Sequence, residues 1–179
     1  MNHTDHVNLL QPANLPLGGT WADLGAGSGA FTLALRELVG SDADIYAVDK
    51  DRRRLDELAH AYDARFGNEG KLFLMTADLS RLFDLPLLDG VLMANSLHYF
   101  KDKDKVLRHV ASLMKPAGRL LLVEYNVDSG NPWVPYPLSF ETFRSLAPRA
   151  DFNEPHLLAK HPSSFLTEFY SAAAFKAGI

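Results

Sequence analysis

Trp21–Ala30, with the sequence WADLGAGSGA, is the stretch that decides how this chain folds. An apolar run ending in Asp23 meets three glycines, Gly25, Gly27 and Gly29, within a few residues. Glycine adopts positive φ without strain and has no Cβ, so the first two allow close backbone approach to a ligand, while Gly29 lets the next helix pack closely on its strand. Free N–H groups at a helix start favour polar or anionic groups. The stretch therefore predicts a strand, a turn and a helix around a nucleotide-type ligand.

Length and composition limit the remaining possibilities. A chain of 179 residues with 47% hydrophobic content predicts a single domain, 1–179. The formal net charge of -4 argues against nucleic acid as a partner. The sequence has no cysteine, which excludes a thiolate metal site and is typical of a reducing cytoplasm.

The amino terminus predicts neither a leader nor a metal site. Its first residues, Met1–His6, are polar, and no apolar stretch in the chain approaches the roughly 20 residues that span a bilayer. We therefore expect a cytoplasmic protein without membrane insertion. His3 and His6 have no neighbouring ligand residues in the sequence, so we expect them to lie in a tail within a short N-terminal segment, residues 1–19, and to bind no metal.

Apolar runs and helical patterns alternate five times along the chain. Nearly continuous apolar strands of this kind are typical of a parallel sheet covered by helices on both faces, which binds ligands at the carboxyl ends of its strands. We expect Pro116 and Gly118 to end the helix before the fifth strand. The polar residues at or just past the strand ends are Asp23, Asp49, Asp78, Asn95 and Glu124.

The sequence after the fifth strand departs from this pattern. Residues 126–137 contain three prolines and two aromatic residues, which predicts an irregular loop near the substrate side. A short helix is expected over 138–146. Two apolar segments, 156–160 and 169–175, predict an antiparallel hairpin that completes the sheet.

The glycine turn alone does not identify the ligand. Gly25, Gly27 and Ala30 also match the dinucleotide-binding pattern, and Asp49, about twenty residues on, suits a ribose of either NAD or S-adenosylmethionine. Asp23 favours a cationic cofactor, because a carboxylate beside the turn accepts hydrogen bonds from an ammonium group.

Four segments together resemble the class I S-adenosylmethionine-dependent methyltransferases, over about residues 20–125. They are 23–29 (DLGAGSG), 75–79 (MTADL), 89–100 (DGVLMANSLHYF) and 113–120 (LMKPAGRL). The resemblance is to the small-molecule type, in the broad group that includes quinone-biosynthesis methyltransferases. It implies an α/β fold of three layers, Rossmann-like, with a mostly parallel sheet of about seven strands and a C-terminal antiparallel hairpin.

The resemblance also implies the cofactor site. Asp49 matches the ribose-binding acid, Asp78 the acid that bonds the adenine amino group, and Lys50 stands where an apolar residue usually covers the adenine. S-adenosylhomocysteine would be the product. The implied cofactor-binding residues are Asp23, Gly25, Ala26, Gly27, Gly29, Asp49, Lys50, Asp78, Leu79, Asn95 and Ser96.

The acceptor side of the predicted site is less specific. His98 follows the fourth strand and is the candidate general base, although a packing role for it stays open. Tyr99, Tyr125, Trp133 and Tyr136 are the candidate substrate-lining residues, and the 126–137 loop is the candidate lid. We predict methyl transfer to a small molecule. The alternatives are a non-catalytic cofactor-binding module and a nicotinamide-dependent oxidoreductase.

Overall fold

The computed structural model describes residues 1–178, which form one mixed sheet with helices on both faces. The strands are β1 (Thr20–Leu24), β2 (Asp44–Asp49), β3 (Lys71–Thr76), β4 (Leu88–Ala94), β5 (Met114–Tyr125), β6 (His156–Pro162) and β7 (Glu168–Phe175). The helices are α1 (His3–Leu10), α2 (Ala30–Val39), α3 (Arg52–Phe66), α4 (Lys103–Leu113) and α5 (Phe140–Leu146).

The strand order is β3-β2-β1-β4-β5-β7-β6. Strands β1 to β5 run parallel, and β7 pairs antiparallel with both β5 and β6. The expected mostly parallel sheet of seven strands and its C-terminal hairpin are therefore confirmed. Strands β2 and β3 are added on one side of β1, and β4 and β5 on the other, so the strand order reverses between β1 and β4. Parallel sheets bind ligands at such a switch point.

Two apolar layers enclose the sheet. On one face, α1 and α2 cover a cluster that includes Trp21, Ile45 and Leu92, and α3 packs beside them over Ala47. On the other face, α4 and α5 cover Leu24 and its neighbours on β4, β5 and β7. This is the expected three-layer arrangement.

The N-terminal segment is not a tail, so that expectation is wrong. Asn2 and Asp5 cap α1 through reciprocal hydrogen bonds of 3.0 and 2.7 Å between side chain and backbone. Leu9 and Leu10 are buried, and the ring of His6 lies 4.6 Å from that of Phe31. The helix is too short and too polar to be recognised locally, and it forms because its last turn covers the apolar surface of α2.

The junction between α4 and β5 differs in detail from the expectation. Helix α4 ends at Leu113, and β5 begins at Met114, so Pro116 and Gly118 lie in the strand rather than ending the helix. Ala117 has a φ of 59°, and the β4–β5 register shifts between Leu88 and Gly90. The turn is thus accommodated as an irregular start to the strand.

The segment 126–137 has neither helix nor strand, but its structure is held by hydrogen bonds. The Asn126 carboxamide donates to Glu168 at 2.6 Å and accepts from the Phe140 backbone N–H at 2.9 Å. Asp128 accepts two hydrogen bonds from Ser139, the N-cap of α5. The loop is therefore anchored to β7 and to the start of α5.

Candidate active site

The glycine turn leads from β1 into α2 and lies against the carboxyl end of β2. Gly25, Gly27 and Gly29 have φ values of 85°, 55° and 93°, the left-handed region that favours glycine. The Gly25 N–H donates to the Val48 carbonyl at 2.8 Å, and the Gly27 N–H donates to Asp49 Oδ2 at 2.8 Å. The turn is held in one conformation by strand β2.

Two of these glycines also allow close packing within the protein. A Cβ at Gly25 would overlap the side chain of Ser96, whose hydroxyl donates to the Leu24 carbonyl at 2.7 Å. A Cβ at Gly29 would lie 2.5 Å from Leu58 of α3. Gly29 therefore allows α2 to approach α3, not its own strand as the sequence suggested, because the neighbouring helix fills the space above the turn.

Asp23 is a buried carboxyl group beneath the turn. Its side chain is 1% exposed and accepts a hydrogen bond of 2.6 Å from the Thr32 hydroxyl of α2. Burial raises its pKa to about 7, and the hydrogen bond from Thr32 opposes that rise. A nearby ligand ammonium group would favour the ionised form. Sequence reasoning missed Thr32, because no local pattern pairs residues nine positions apart across a turn.

The predicted adenosine side lies along the ends of β2 and β3. Asp49 is half-buried, and its Oδ1 accepts the Asp51 N–H at 2.9 Å. Asp78 is exposed, and hydrogen bonds from Ser80 lower its pKa, with a smaller contribution from the charge of Lys50. The Leu79 side chain would lie 3.8 Å from a Cβ at Gly25, so it reaches the turn. These residues lie along one rim of the sheet, at the carboxyl ends of β2 and β3.

Asn95 carries an unsatisfied acceptor at the switch point. Its φ is 53°, and its side-chain Oδ1 is buried without a hydrogen-bond partner among residues 1–178. A buried acceptor without a partner is costly, so a donor on a ligand would stabilise it. Together with the acidic Asp23 and the free acceptor capacity of Asp49, this orphaned oxygen fits a ligand that carries an ammonium group and hydroxyls.

His98 and Glu124 form a buried pair just beyond Asn95. His98 lies in a 3₁₀ turn, Leu97–Tyr99, and is 2% exposed, while Glu124 at the end of β5 is fully buried. Glu124 Oε2 lies 2.8 Å from His98 Nδ1, and Oε1 accepts the His98 backbone N–H at 3.1 Å. The ring is thereby oriented, and Nε2 has no hydrogen-bond partner in the described part of the chain. The sequence placed Glu124 on the rim but did not pair it with His98.

Three of the four predicted substrate-lining residues, Tyr99, Tyr125 and Tyr136, lie next to His98, whereas Trp133 lies farther out. The rings of Tyr99 and Tyr125 lie 4.3 and 6.1 Å from that of His98. Tyr136 donates its backbone N–H to the His98 carbonyl at 3.0 Å, and Trp133 is 71% exposed. Phe165, in the turn between β6 and β7, lies 6.1 Å from Tyr125 and was not anticipated, because it is 40 residues away in the sequence.

Residues 1–178 contain neither a cluster of metal-binding side chains nor a helix able to cross a membrane. No group of three or more histidine, cysteine or acidic side chains is arranged to hold a metal ion. In the same range, no helix combines the length and the apolar character that a membrane crossing requires.

Comparison with known proteins agrees with this geometry. Residues 22–120 match the family model described as a methyltransferase domain. An arsenite methyltransferase of Aquipseudomonas alcaligenes is 33% identical over 95% of this chain and 53% of its own length. The ubiquinone/menaquinone biosynthesis C-methyltransferase UbiE of Pasteurella multocida is 30% identical over 58% of this chain and 39% of its own. The crystal structure of the YcgJ protein of Bacillus subtilis superposes with a TM-score of 0.78 at 14% identity, covering 99% of this chain and all of that one.

The chain spans about half the length or less of the curated relatives it matches, and the likeness to YcgJ concerns the fold. The family match covers more than half of the chain and includes the glycine turn and the switch point. The sequence match, the strand order and the glycine turn agree, and this chain belongs to the class I S-adenosylmethionine-dependent methyltransferase family.

Proposed function

We propose that the protein transfers a methyl group from S-adenosylmethionine to a small-molecule acceptor that must lose a proton during the reaction. The pairing of His98 with Glu124, next to Asn95 at the switch point, carries this proposal. A buried imidazole held by a carboxylate is the arrangement used for general-base catalysis.

The cofactor-binding residues are proposed from their positions. Asp23 and Asn95 would hold the methionine ammonium group, Asp49 the ribose hydroxyls, and Asp78, Leu79 and Lys50 the adenine. The turn from Gly25 to Gly29, including Ala26, and Ser96 would shape the pocket floor. When bound, S-adenosylmethionine supplies a methyl group on a positively charged sulfur and leaves as the neutral thioether S-adenosylhomocysteine.

His98 and Glu124 would remove the acceptor proton. Nδ1–H of His98 would donate a hydrogen bond to Glu124, so the unprotonated nitrogen would be Nε2, which takes the proton from an acceptor hydroxyl or carbon acid. The acceptor electron pair then forms the new bond to the methyl carbon. Glu124 would stabilise the imidazolium that results, and the half-buried ring of Tyr125 would limit water near the reacting groups.

The aromatic surroundings favour a planar or apolar acceptor over arsenite. Arsenic(III) is thiophilic, and this chain has no cysteine to supply a thiolate. The net charge of -4 supports a small molecule rather than a nucleic acid. The lack of cysteine also supports activity in the cytoplasm.

The test is release of S-adenosylhomocysteine with a panel of phenols, hydroquinones, amines and arsenite. We expect turnover with a phenol or hydroquinone. His98→Gln and Glu124→Gln should lower kcat about 10²- to 10⁴-fold without weakening S-adenosylhomocysteine binding. His156→Gln, at an exposed histidine on β6, is the matched control and should keep full activity.

Two results would contradict the proposal. Cofactor binding without turnover on any acceptor would indicate a binding module instead of an enzyme. Full activity of His98→Gln on a true acceptor would remove the general-base role and leave His98 a packing residue.

A further inference from the structure

Lys103, the first residue of α4, holds its ammonium group against the turn that carries His98. Its Nζ donates a hydrogen bond of 2.9 Å to the carbonyl of Phe100, the residue that ends this turn. The same nitrogen lies 5.7 Å from the centroid of the Tyr136 ring, within the range of a cation–π contact. Tyr136 in turn donates its backbone N–H to the His98 carbonyl at 3.0 Å. The ammonium group is therefore fixed between the two segments that hold His98.

Within residues 1–178, Glu124 is a buried carboxylate that has no lysine or arginine nitrogen within 4.0 Å. Both of its oxygens instead bond to His98, one to the ring and one to the backbone N–H. A buried carboxylate is unfavourable without a compensating positive charge. The imidazole of His98 supplies such a charge only when it is protonated.

This arrangement sets two requirements of a general base against each other. A carboxylate beside an imidazole favours the protonated ring, but a ring that already carries the proton cannot take one from an acceptor. A second positive charge near the pair would compensate Glu124 and so make the unprotonated ring more favourable. The geometry of the site therefore calls for a cation that lies close to Glu124 but does not replace His98 as its hydrogen-bond partner.

Lys103 meets this description. Its side chain is half-buried, and burial lowers its pKa from the usual 10.5, while the negative charges of Glu124 and Asp128 oppose that fall. The two carboxylates thus act on the Lys103 amine and favour its charged form. Because the ammonium group has Phe100 as its hydrogen-bond partner, it acts on Glu124 through space rather than by contact.

The other titratable groups around the pair supply no positive charge. Asp128, in the 126–137 loop, is negative and accepts two hydrogen bonds from Ser139. Tyr170 lies opposite Glu124 in the β5–β7 pairing, and burial, with the charges of Glu124 and Asp128, raises its pKa well above 10, so it stays neutral. The remaining groups are the phenols of Tyr99, Tyr125 and Tyr136. Of these side chains and Lys103, Lys103 alone is cationic.

We propose that Lys103 is a positioning residue for the proton: its ammonium group compensates Glu124, so that the His98 ring stays unprotonated at neutral pH and can act as the base. This rests on the proposed function, because only a base needs its ring unprotonated. The effect belongs to the charge of Lys103 and is separable from its hydrogen bond to Phe100.

The test follows the protonation of the His98 ring by NMR in cofactor-free protein labelled with ¹⁵N, with the signal assigned from its absence in His98→Gln. Lys103→Gln keeps an N–H donor for Phe100 and removes the charge, so the ring should become half protonated at a pH about 0.5 to 1 unit higher than in the wild type. Lys103→Arg keeps the charge and should restore the wild-type value. Lys105→Gln, at an exposed lysine of the same helix, is the matched control and should change nothing.

Three outcomes would overturn the inference. They are the same titration in Lys103→Gln and the wild type, equal shifts in Lys103→Gln and Lys103→Arg, or a ring that stays neutral down to pH 5 in both the wild type and Lys103→Gln. The second would make Lys103 a packing residue of the turn.

The pH profile of kcat/KM separates this inference from the proposed function. With an active acceptor, the acid limb of the profile should move to higher pH in Lys103→Gln by the same amount as the NMR titration. A shifted titration in a protein that methylates no acceptor would support the role of Lys103 and contradict the proposed function. Turnover that depends on His98, with an unshifted titration in Lys103→Gln, would do the reverse.

Discussion

Asp23 offers the sharpest test of how the site is built, because a group placed for ligand binding should destabilise the empty protein. Its carboxyl group is buried, with the Thr32 hydroxyl as its hydrogen-bond partner. Burial raises its pKa from 3.8 to about 7, so in the folded protein the neutral form is favoured. Replacing Asp23 with Asn keeps the shape and removes the charge.

The sign and size of the effect follow from linkage. The folded state binds this proton more tightly than the unfolded state, so the stabilisation is complete below pH 3.8 and is lost as the pH rises to about 7. One pKa unit corresponds to about 1.4 kcal/mol, which makes the full loss on the order of 4 kcal/mol. Between pH 5 and pH 8 the wild type should lose about 2 to 3 kcal/mol more stability than Asp23→Asn.

Urea unfolding followed by circular dichroism, on cofactor-free protein at pH 5, 6, 7 and 8, measures this difference. We expect Asp23→Asn to become more stable relative to the wild type as the pH rises, and to bind S-adenosylhomocysteine more weakly. Thr32→Val removes the hydrogen bond that favours the ionised form of Asp23, so the pKa of Asp23 should rise further. The fall in stability of this variant with rising pH should therefore continue to a higher pH than in the wild type. Parallel pH profiles for the wild type and Asp23→Asn would refute the reasoning.

Two further substitutions test the turn and the loop. Gly25→Ala should abolish S-adenosylhomocysteine binding and lower the free energy of unfolding by about 1 to 3 kcal/mol, because it combines a left-handed φ with overlap on Ser96. The control is Gly67→Ala, which also lies at positive φ but has no atom within 4 Å of the added Cβ. It should lower the free energy of unfolding less and keep S-adenosylhomocysteine binding. Equal effects of the two variants on thermal unfolding and on binding would contradict this. Asp128→Ala removes two hydrogen bonds to Ser139, so it should cost about 1 kcal/mol and speed proteolysis within residues 129–137, whereas an unchanged cleavage rate would contradict the anchoring role.

The positions of the candidate cofactor-binding residues in the sheet were largely predictable, because these residues stand at the ends of local patterns. Asp49 and Asn95 each follow an apolar run, and parallel strands bring such ends to one edge. The N-terminal helix was not predictable in this way. Its main signal is the apolar pair Leu9 and Leu10. This pair indicates a buried helix face only when α2 is known to lie beside it.

The surroundings of His98 depended on strand order. His98 and Glu124 are 26 residues apart and meet because β5 lies next to β4 in the sheet. Phe165 reaches Tyr125 because β7 pairs antiparallel with β5 and brings the β6–β7 turn to the same edge. Neither pairing leaves a periodic signal in the sequence.

The sequence by itself determined the family, the α/β architecture and the positions of the polar residues at the strand ends, because alternating apolar runs and the glycines after Asp23 express local backbone requirements. The tertiary structure alone decided how buried Asp23 is, which carboxylate orients His98, and which aromatic rings lie beside that histidine. These properties depend on which strands are neighbours and on how much water the packed chain excludes, and both arise only when distant segments meet.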